Sequence, residues 1–261
     1  MLGKLLKYEI KATARIFLPL YVVLLVFAVI HRIIDALSPS KIVNAPQVIS
    51  TVLYVIVVVA VFVVTLIVMI QRFYKNLLSD EGYLMFTLPA RSWQHIVCKL
   101  LISMMWSVVS VIAAFISVWI VAGHKIALPP IETFWATFWK SVMGAFSRLN
   151  VSSFLFIVEF LITCVIGLAG SVLIIYASIA LGHLFNKHRI LASLGAYIVL
   201  TTITQIIFVI AGTVAFQLDG VNPEGLLIHL FIWLVILFFG LIAAGYFVIT
   251  NYVLNRHLNL E

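Results

Sequence analysis

Long apolar runs alternate with short charged clusters along this chain, and the clusters set where each run begins and ends. An α-helix needs about 20 apolar residues to cross a hydrocarbon layer about 30 Å thick. Six stretches qualify, at about 16–34, 48–70, 100–122, 160–181, 190–210 and 226–251. The first has Pro19 in its opening turn and ends on His31 and Arg32, whose long side chains reach water at a span's end. The second carries no charge between Val48 and Ile70. The fifth is embedded in a longer run, Ile190 to Leu218, that would extend about 43 Å as one helix, more than the hydrocarbon core accommodates without tilt. A break is therefore expected near Gly212, with Thr213 to Leu218 in a short outer excursion.

Two further segments have helical periodicity on one face only. In residues 1–15, Leu2, Leu5, Leu6 and Ile10 recur opposite Lys4, Lys7, Lys11 and Arg15, which predicts an amphipathic helix lying on the membrane surface. A secretory signal also starts basic and then turns apolar, but no small-x-small site follows Ile30, so cleavage is not expected. After Pro129 and Pro130, the residues Ile131, Phe134, Trp135, Phe138, Trp139, Val142, Met143 and Phe146 line one helical face, with Glu132, Thr133, Lys140 and Arg148 off it. This predicts an outer interfacial helix whose aromatic residues anchor the neighbouring spans or guide an amphiphilic substrate.

Composition narrows the class. Hydrophobic residues make up 64% and charged residues 10% of the 261 residues, and the mean hydropathy is +1.23, against about 45–50% apolar and about 25% charged in a soluble globular chain. The fold class is all-α: an integral membrane six-helix bundle forming a single domain over residues 1–261. Six spans put both termini on one side. With that side inside, Lys4, Lys7, Lys11, Arg15, Arg72, Lys75, Arg91, Lys99, Lys187, Arg189 and Arg256 are internal, eleven of the sixteen basic residues. The positive-inside rule thus predicts cytoplasmic termini. The net charge of +7 follows from this orientation and implies no nucleic-acid partner.

Catalytic signatures are missing from the sequence. There is no GxxxxGK[ST] phosphate loop, no HExxH, no GxSxG and no Cys/His spacing suited to a metal. Neither an enzyme nor a bound cofactor is expected, and an intramembrane enzyme would lack any catalytic constellation. Cys98 and Cys164 read as buried free thiols, and His183 and His188 as residues of a membrane interface. Glu159 adjoins apolar residues on both sides. A span starting at Phe160 leaves it at the outer headgroups, needing no function; an earlier start carries it into the bilayer, where a carboxylate faces a cavity or a partner. His229, near the start of the sixth span, takes the same reading. Gly167, Gly170 and Ser171, with Gly240, Ala244 and Gly245, supply small-residue faces where helices approach closely.

The segment from Arg72 to Arg91, RFYKNLLSDEGYLMFTLPAR, lies between the second and third spans. Ser79 or Asp80 can cap a short helix that presents Tyr83, Leu84, Thr87 and Leu88 and that Pro89 ends, outside lipid and open to a soluble protein. The run Asp80-Glu81-Gly82-Tyr83-Leu84-Met85-Phe86-Thr87-Leu88-Pro89 resembles the cytoplasmic coupling segment of type-2 ATP-binding-cassette (ABC) transporter permeases, and the likeness continues through Arg91-Ser92-Trp93-Gln94 into Lys99-Leu100-Leu101. The resemblance implies the membrane-spanning permease subunit of an exporter in a bacterial cytoplasmic membrane. It also implies a dimer with a second copy or a sister permease, and docking of separate cytosolic ATPase subunits. The residues implied in that contact are Asp80, Glu81, Gly82, Tyr83, Leu84, Phe86, Leu88, Pro89 and Arg91, with Phe185, Asn186 and Lys187 of the second inner loop. Residues 219–225 are too few for a large external domain, which departs from members that grip bulky external ligands. The rival reading is an ATP-independent channel or secondary carrier with Glu159 in its translocation path.

Overall fold

The computed structural model describes residues 2–37, 45–77, 92–122, 131–147, 151–185, 188–218 and 225–256. Among them there is no strand, and the helices are α1 (Leu2–Leu37), α2 (Ala45–Leu77), α3 (Ser92–Ala122), α4 (Ile131–Ser147), α5 (Val151–Gly182), α6 (Arg189–Leu218) and α7 (Gly225–Arg256). All but α4 are long and apolar enough to cross a membrane. The chain is a multi-pass helical membrane protein.

Solvent, more than propensity, dictates these elements. The run Val55-Ile56-Val57-Val58-Val59 in α2 is β-branched throughout and would favour a strand in water. In hydrocarbon every N–H and C=O must be satisfied within the segment, which leaves the helix as the solution for a single span. Proline marks a start at Pro46, in the first turn of α2, where its missing N–H costs nothing.

Three boundaries differ from the sequence reading. The surface helix expected over 1–15 and the span expected over 16–34 form one 36-residue helix with Pro19 inside it. Nothing between Arg15 and Pro19 stops a helix, since Arg15 and Leu18 are good formers and Ile16 and Phe17 are tolerated at a few tenths of a kcal/mol. The buried residues Glu9, Thr13, Phe17, Tyr21, Leu24, Ala28 and His31 recur every three or four positions, so one face runs through both parts. Second, α5 begins at Val151, nine residues ahead of Phe160, and this carries Glu159 into its third turn. Third, α6 continues through Gly212 to Leu218; an interior glycine weakens a helix by about 1 kcal/mol, which is not enough to end one held by lipid. The helix expected after Pro130 is present as α4, with Trp135, Phe138, Trp139 and Met143 exposed.

The chain divides into two compact units. The first comprises Gly3–Met69 and Ile102–Arg148. Its interior is a set of rings and hydroxyls shared by α1, α2 and α3. Phe17 stacks on Trp106 with centroids 4.5 Å apart, and Trp106 Nε1 donates to Thr13 Oγ1 at 2.8 Å. Ser110 Oγ lies 2.8 Å from the Tyr21 hydroxyl and 2.9 Å from Thr65 Oγ1, joining all three helices at one point. Tyr54 meets Ser117 at 2.9 Å, and His31 Nδ1 meets Ser50 Oγ at 2.9 Å. Each polar group surrendered to the apolar interior is met by another, which is the condition for burying it at all.

The second unit comprises Ile70–Leu101 and Leu149–Glu261. Within it α5 packs along both α6 and α7. Gly182, the last residue of α5, sits so close to Ser193 of α6 that a Cβ there would run into that residue's backbone and hydroxyl. At the end where α2 finishes, Phe73 lies flat on Tyr176 of α5, with centroids 4.0 Å apart. Ser92, opening α3, places its hydroxyl 2.7 Å from Asn255 Oδ1 and 3.1 Å from Asn251 Oδ1 on α7.

Candidate functional site

Of the expected partner-contacting residues, Asp80, Glu81, Gly82, Tyr83, Leu84, Phe86, Leu88, Pro89 and Arg91, with Asn186 and Lys187, lie outside the described residues. Phe185 is described, and it is 62% exposed in the turn that follows α5. The described residues flanking 78–91 and 186–187 come together in the second unit. Tyr74, in the last turn of α2, stacks against His183 in the turn after α5, with centroids 5.6 Å apart. One turn's length of α2 thus bridges the approach to residues 78–91 and the start of the 183–188 connection. That turn is closed by His183 and Leu184 amides bonding back to Ile179, Ala180 and Leu181 carbonyls, which brings α6 back beside α5 within a few residues.

The other candidate is Glu159. It is 1% exposed, and both its carboxylate oxygens lie against His229 Nδ1, at 3.0 Å for Oε1 and 2.9 Å for Oε2. His229 is itself 9% exposed, in the second turn of α7. The ring of Phe156, one turn before Glu159 on α5, is centred 4.4 Å from the imidazole. The Thr163 hydroxyl donates to the Glu159 main-chain carbonyl at 2.7 Å and leaves the carboxylate to the histidine. Nδ1–H therefore faces the carboxylate, and Nε2 becomes the ring's second polar atom; it is buried and has no hydrogen-bond partner among the described residues. The span expected to open at Phe160 opens instead at Val151, and the Glu159 side chain is buried between α5 and α7.

Chemically the pair joins α5 to α7. It is a carboxylate and an imidazole in direct contact inside an apolar bundle, an arrangement found either as a structural tie or where ions and protons move. Among the described residues no group of three or more His, Cys, Asp and Glu could hold a metal ion. Cys98 is buried as expected, whereas Cys164 is exposed, and neither is in a disulfide. A cleft of about 330 Å³ opens between α1 and α2 beside His31 and Ser50. These two polar residues are bonded to each other, so the cleft offers an apolar wall.

The pairing of Glu159 with His229 was missed when each was read alone. Its signal was positional. Both follow closely on the start of spans that enter the membrane from the same side, so any ion pair for Glu159 had to be sought at that depth. The hydroxyl contacts of the first unit had a similar trace, since Ser103, Ser107, Ser110 and Ser117 recur at spacings of three, four and seven along α3.

Comparison with known proteins returns no matching family, no matching characterised protein and no matching solved structure.

Proposed function

We propose that this chain is the membrane-spanning permease subunit of an ABC transporter that exports an amphiphilic substrate such as a peptide, lipid or drug. In this reading ATP is hydrolysed on separate cytosolic subunits, the termini lie in the cytoplasm of a bacterial cell, and two permeases form the pathway. The observation that carries the proposal is the Asp80 to Pro89 run, set between two charge-poor spans in a chain without a phosphate loop of its own. The stacking of Tyr74 on His183 supports it further, because it puts the lead-in to that run beside the second inner segment. Movement of docked ATPases would press on residues 80–88 and on 184–189. Phe73 against Tyr176 would pass the displacement to α5 as a rigid contact, since packed aromatic faces yield little. The aromatic face of α4 would rest at the outer interface.

The test is the double variant Glu81→Lys and Tyr83→Ala. At normal permease levels it should lose copurification of a cytosolic ATPase, or lose substrate stimulation of that ATPase. Full transport with the partner retained would sink the proposal.

A second reading is favoured by one observation, the buried Glu159–His229 pair. A secondary carrier needs ionisable groups inside its bundle, and here two meet. Under this reading Glu159→Gln abolishes transport while the level of the protein in the membrane stays normal. Under the first reading transport stays within a few-fold of the parent.

A further inference from the structure

One stripe runs the length of α1 and changes character once. Lys4, Lys7, Lys11 and Arg15 follow one another at steps of three or four residues and, at about 100° per residue, fall within an arc of about 80°. All four are exposed, and none has an ion-pair or hydrogen-bond partner among the described residues. The same steps lead on to Leu18, Val22, Val26, Val29 and Ile33, which are exposed as well. Thr13, Phe17 and Leu24 are buried on the opposite side of the helix. Glu9, the acidic residue within 2–15, is buried too and turned away from the cations. The stripe is therefore cationic up to Arg15, aliphatic beyond it, and directed away from the interior of the first unit throughout.

Depth says what each part meets. Ile16 to Ile34 covers about 27 Å, close to a hydrocarbon core of about 30 Å, so Arg15 stands where the hydrocarbon ends. The headgroup layer adds about 5–8 Å on each side. For a helix near the bilayer normal, Lys11 lies about 6 Å beyond Arg15 and inside that layer, while Lys7 and Lys4 lie about 12 and 16 Å beyond it. Those two are outside the headgroups, at about a Debye length from them.

Two features select the occupant. Cations without internal partners at headgroup depth attract phosphate, whose oxygens accept charge-assisted hydrogen bonds. The aliphatic continuation selects a phosphate that carries hydrocarbon: with its headgroup at Lys11 and Arg15, a phospholipid lays a chain along Leu18 and Val22. A net negative headgroup suits the stripe best, because the ammonium of a zwitterionic lipid offsets the phosphate and brings a like charge toward the lysines. An acidic soluble protein would meet the cations and leave the aliphatic half of the stripe unused.

We propose that the exposed stripe of α1 is a binding face for anionic phospholipid, with the headgroup held by Lys11 and Arg15, an acyl chain along Leu18 and Val22, and Lys7 and Lys4 attracting from farther out. The stripe belongs to α1 alone, so the proposal is independent of ATPase docking and of the Glu159–His229 pair.

The experiment uses the full chain in phosphatidylcholine vesicles, with Cys98 and Cys164 replaced by alanine. A bimane label on Val22→Cys reports contact with brominated acyl chains through quenching. Brominated phosphatidylglycerol should quench it more effectively than brominated phosphatidylcholine, whereas a label on Phe160→Cys, exposed on α5, should respond to both lipids alike. Arg15→Gln or Lys11→Gln should lower the preference at Val22→Cys by about fivefold, the equivalent of about 1 kcal/mol for one cation at an anionic surface. Arg15→Lys should retain the preference, Lys4→Gln should leave it almost unchanged, and high salt should erode it. The proposal is overturned if Val22→Cys shows no preference for phosphatidylglycerol, if Phe160→Cys shows the same preference, or if Arg15→Gln leaves it intact. Capture of an acidic soluble protein by vesicles lacking phosphatidylglycerol, with no lipid preference at Val22→Cys, would assign the face to a protein and overturn it as well.

Discussion

Replacing His229 with leucine should be among the most damaging single changes in the second unit. Glu159 is 1% exposed, and the imidazole supplies the donor that its two oxygens share, at 2.9 and 3.0 Å. Leucine fills similar space and removes that donor, leaving a carboxylate between α5 and α7 with apolar neighbours. Breaking a buried pair from one side costs about 3–5 kcal/mol, because the remaining charge keeps its desolvation penalty and loses its compensation. Glu159→Gln is far milder. The amide oxygen still accepts from Nδ1–H, so the loss is about 1 kcal/mol, the order of one hydrogen bond. The double change Glu159→Met with His229→Leu should recover most of the loss, since an apolar pair of similar volume has nothing to desolvate. Equilibrium unfolding in graded mixtures of a mild and a denaturing detergent, followed by tryptophan fluorescence, reads all three on one scale. If His229→Leu lies within about 1 kcal/mol of the parent, or if the double variant is as unstable as His229→Leu alone, the pair is not the tie described here.

The remaining expectations concern both units and the topology. Ser110→Ala removes the 2.8 Å partner of the Tyr21 hydroxyl and should cost about 1–3 kcal/mol, whereas Ser107→Ala, which loses only a bond to the Ser103 carbonyl of its own helix, should be near neutral in the same unfolding assay. Gly182→Ala should destabilise by about 1–3 kcal/mol, because the added methyl meets the Ser193 backbone and the α5–α6 connection must shift; Gly167→Ala, with open space around it, should be neutral or slightly stabilising, and equal effects at both sites would contradict the packing described. In a background lacking Cys98 and Cys164, an impermeant thiol reagent added outside should label cysteines placed at Ser40 or Asn222 and spare one at Ser79. Strong external labelling at Ser79 would reverse the orientation and remove the Asp80 to Pro89 segment from the cytoplasm.

The apolar runs by themselves determined that this is an all-helical, multi-pass membrane protein, because a length of about 20 apolar residues has one stable form in lipid. They also located α4 from its starting prolines and its one-sided aromatic pattern. Helix ends were less legible. Nothing in the residues around Phe160 or Gly212 says whether a helix stops, and in α1 even Pro19, a strong breaker in water, is passed without an end, because a backbone in or beside a bilayer has few alternatives to the helix. The contacts among polar side chains were decided by tertiary structure alone. Tyr21, Thr65 and Ser110 are far apart in the chain, and so are Glu159 and His229; each is an isolated polar residue in an apolar run until the helices carrying them pack at matching depth. A periodicity reports which face of a helix turns inward, but the partner it meets depends on register between helices, and that register is set by the whole of the packing.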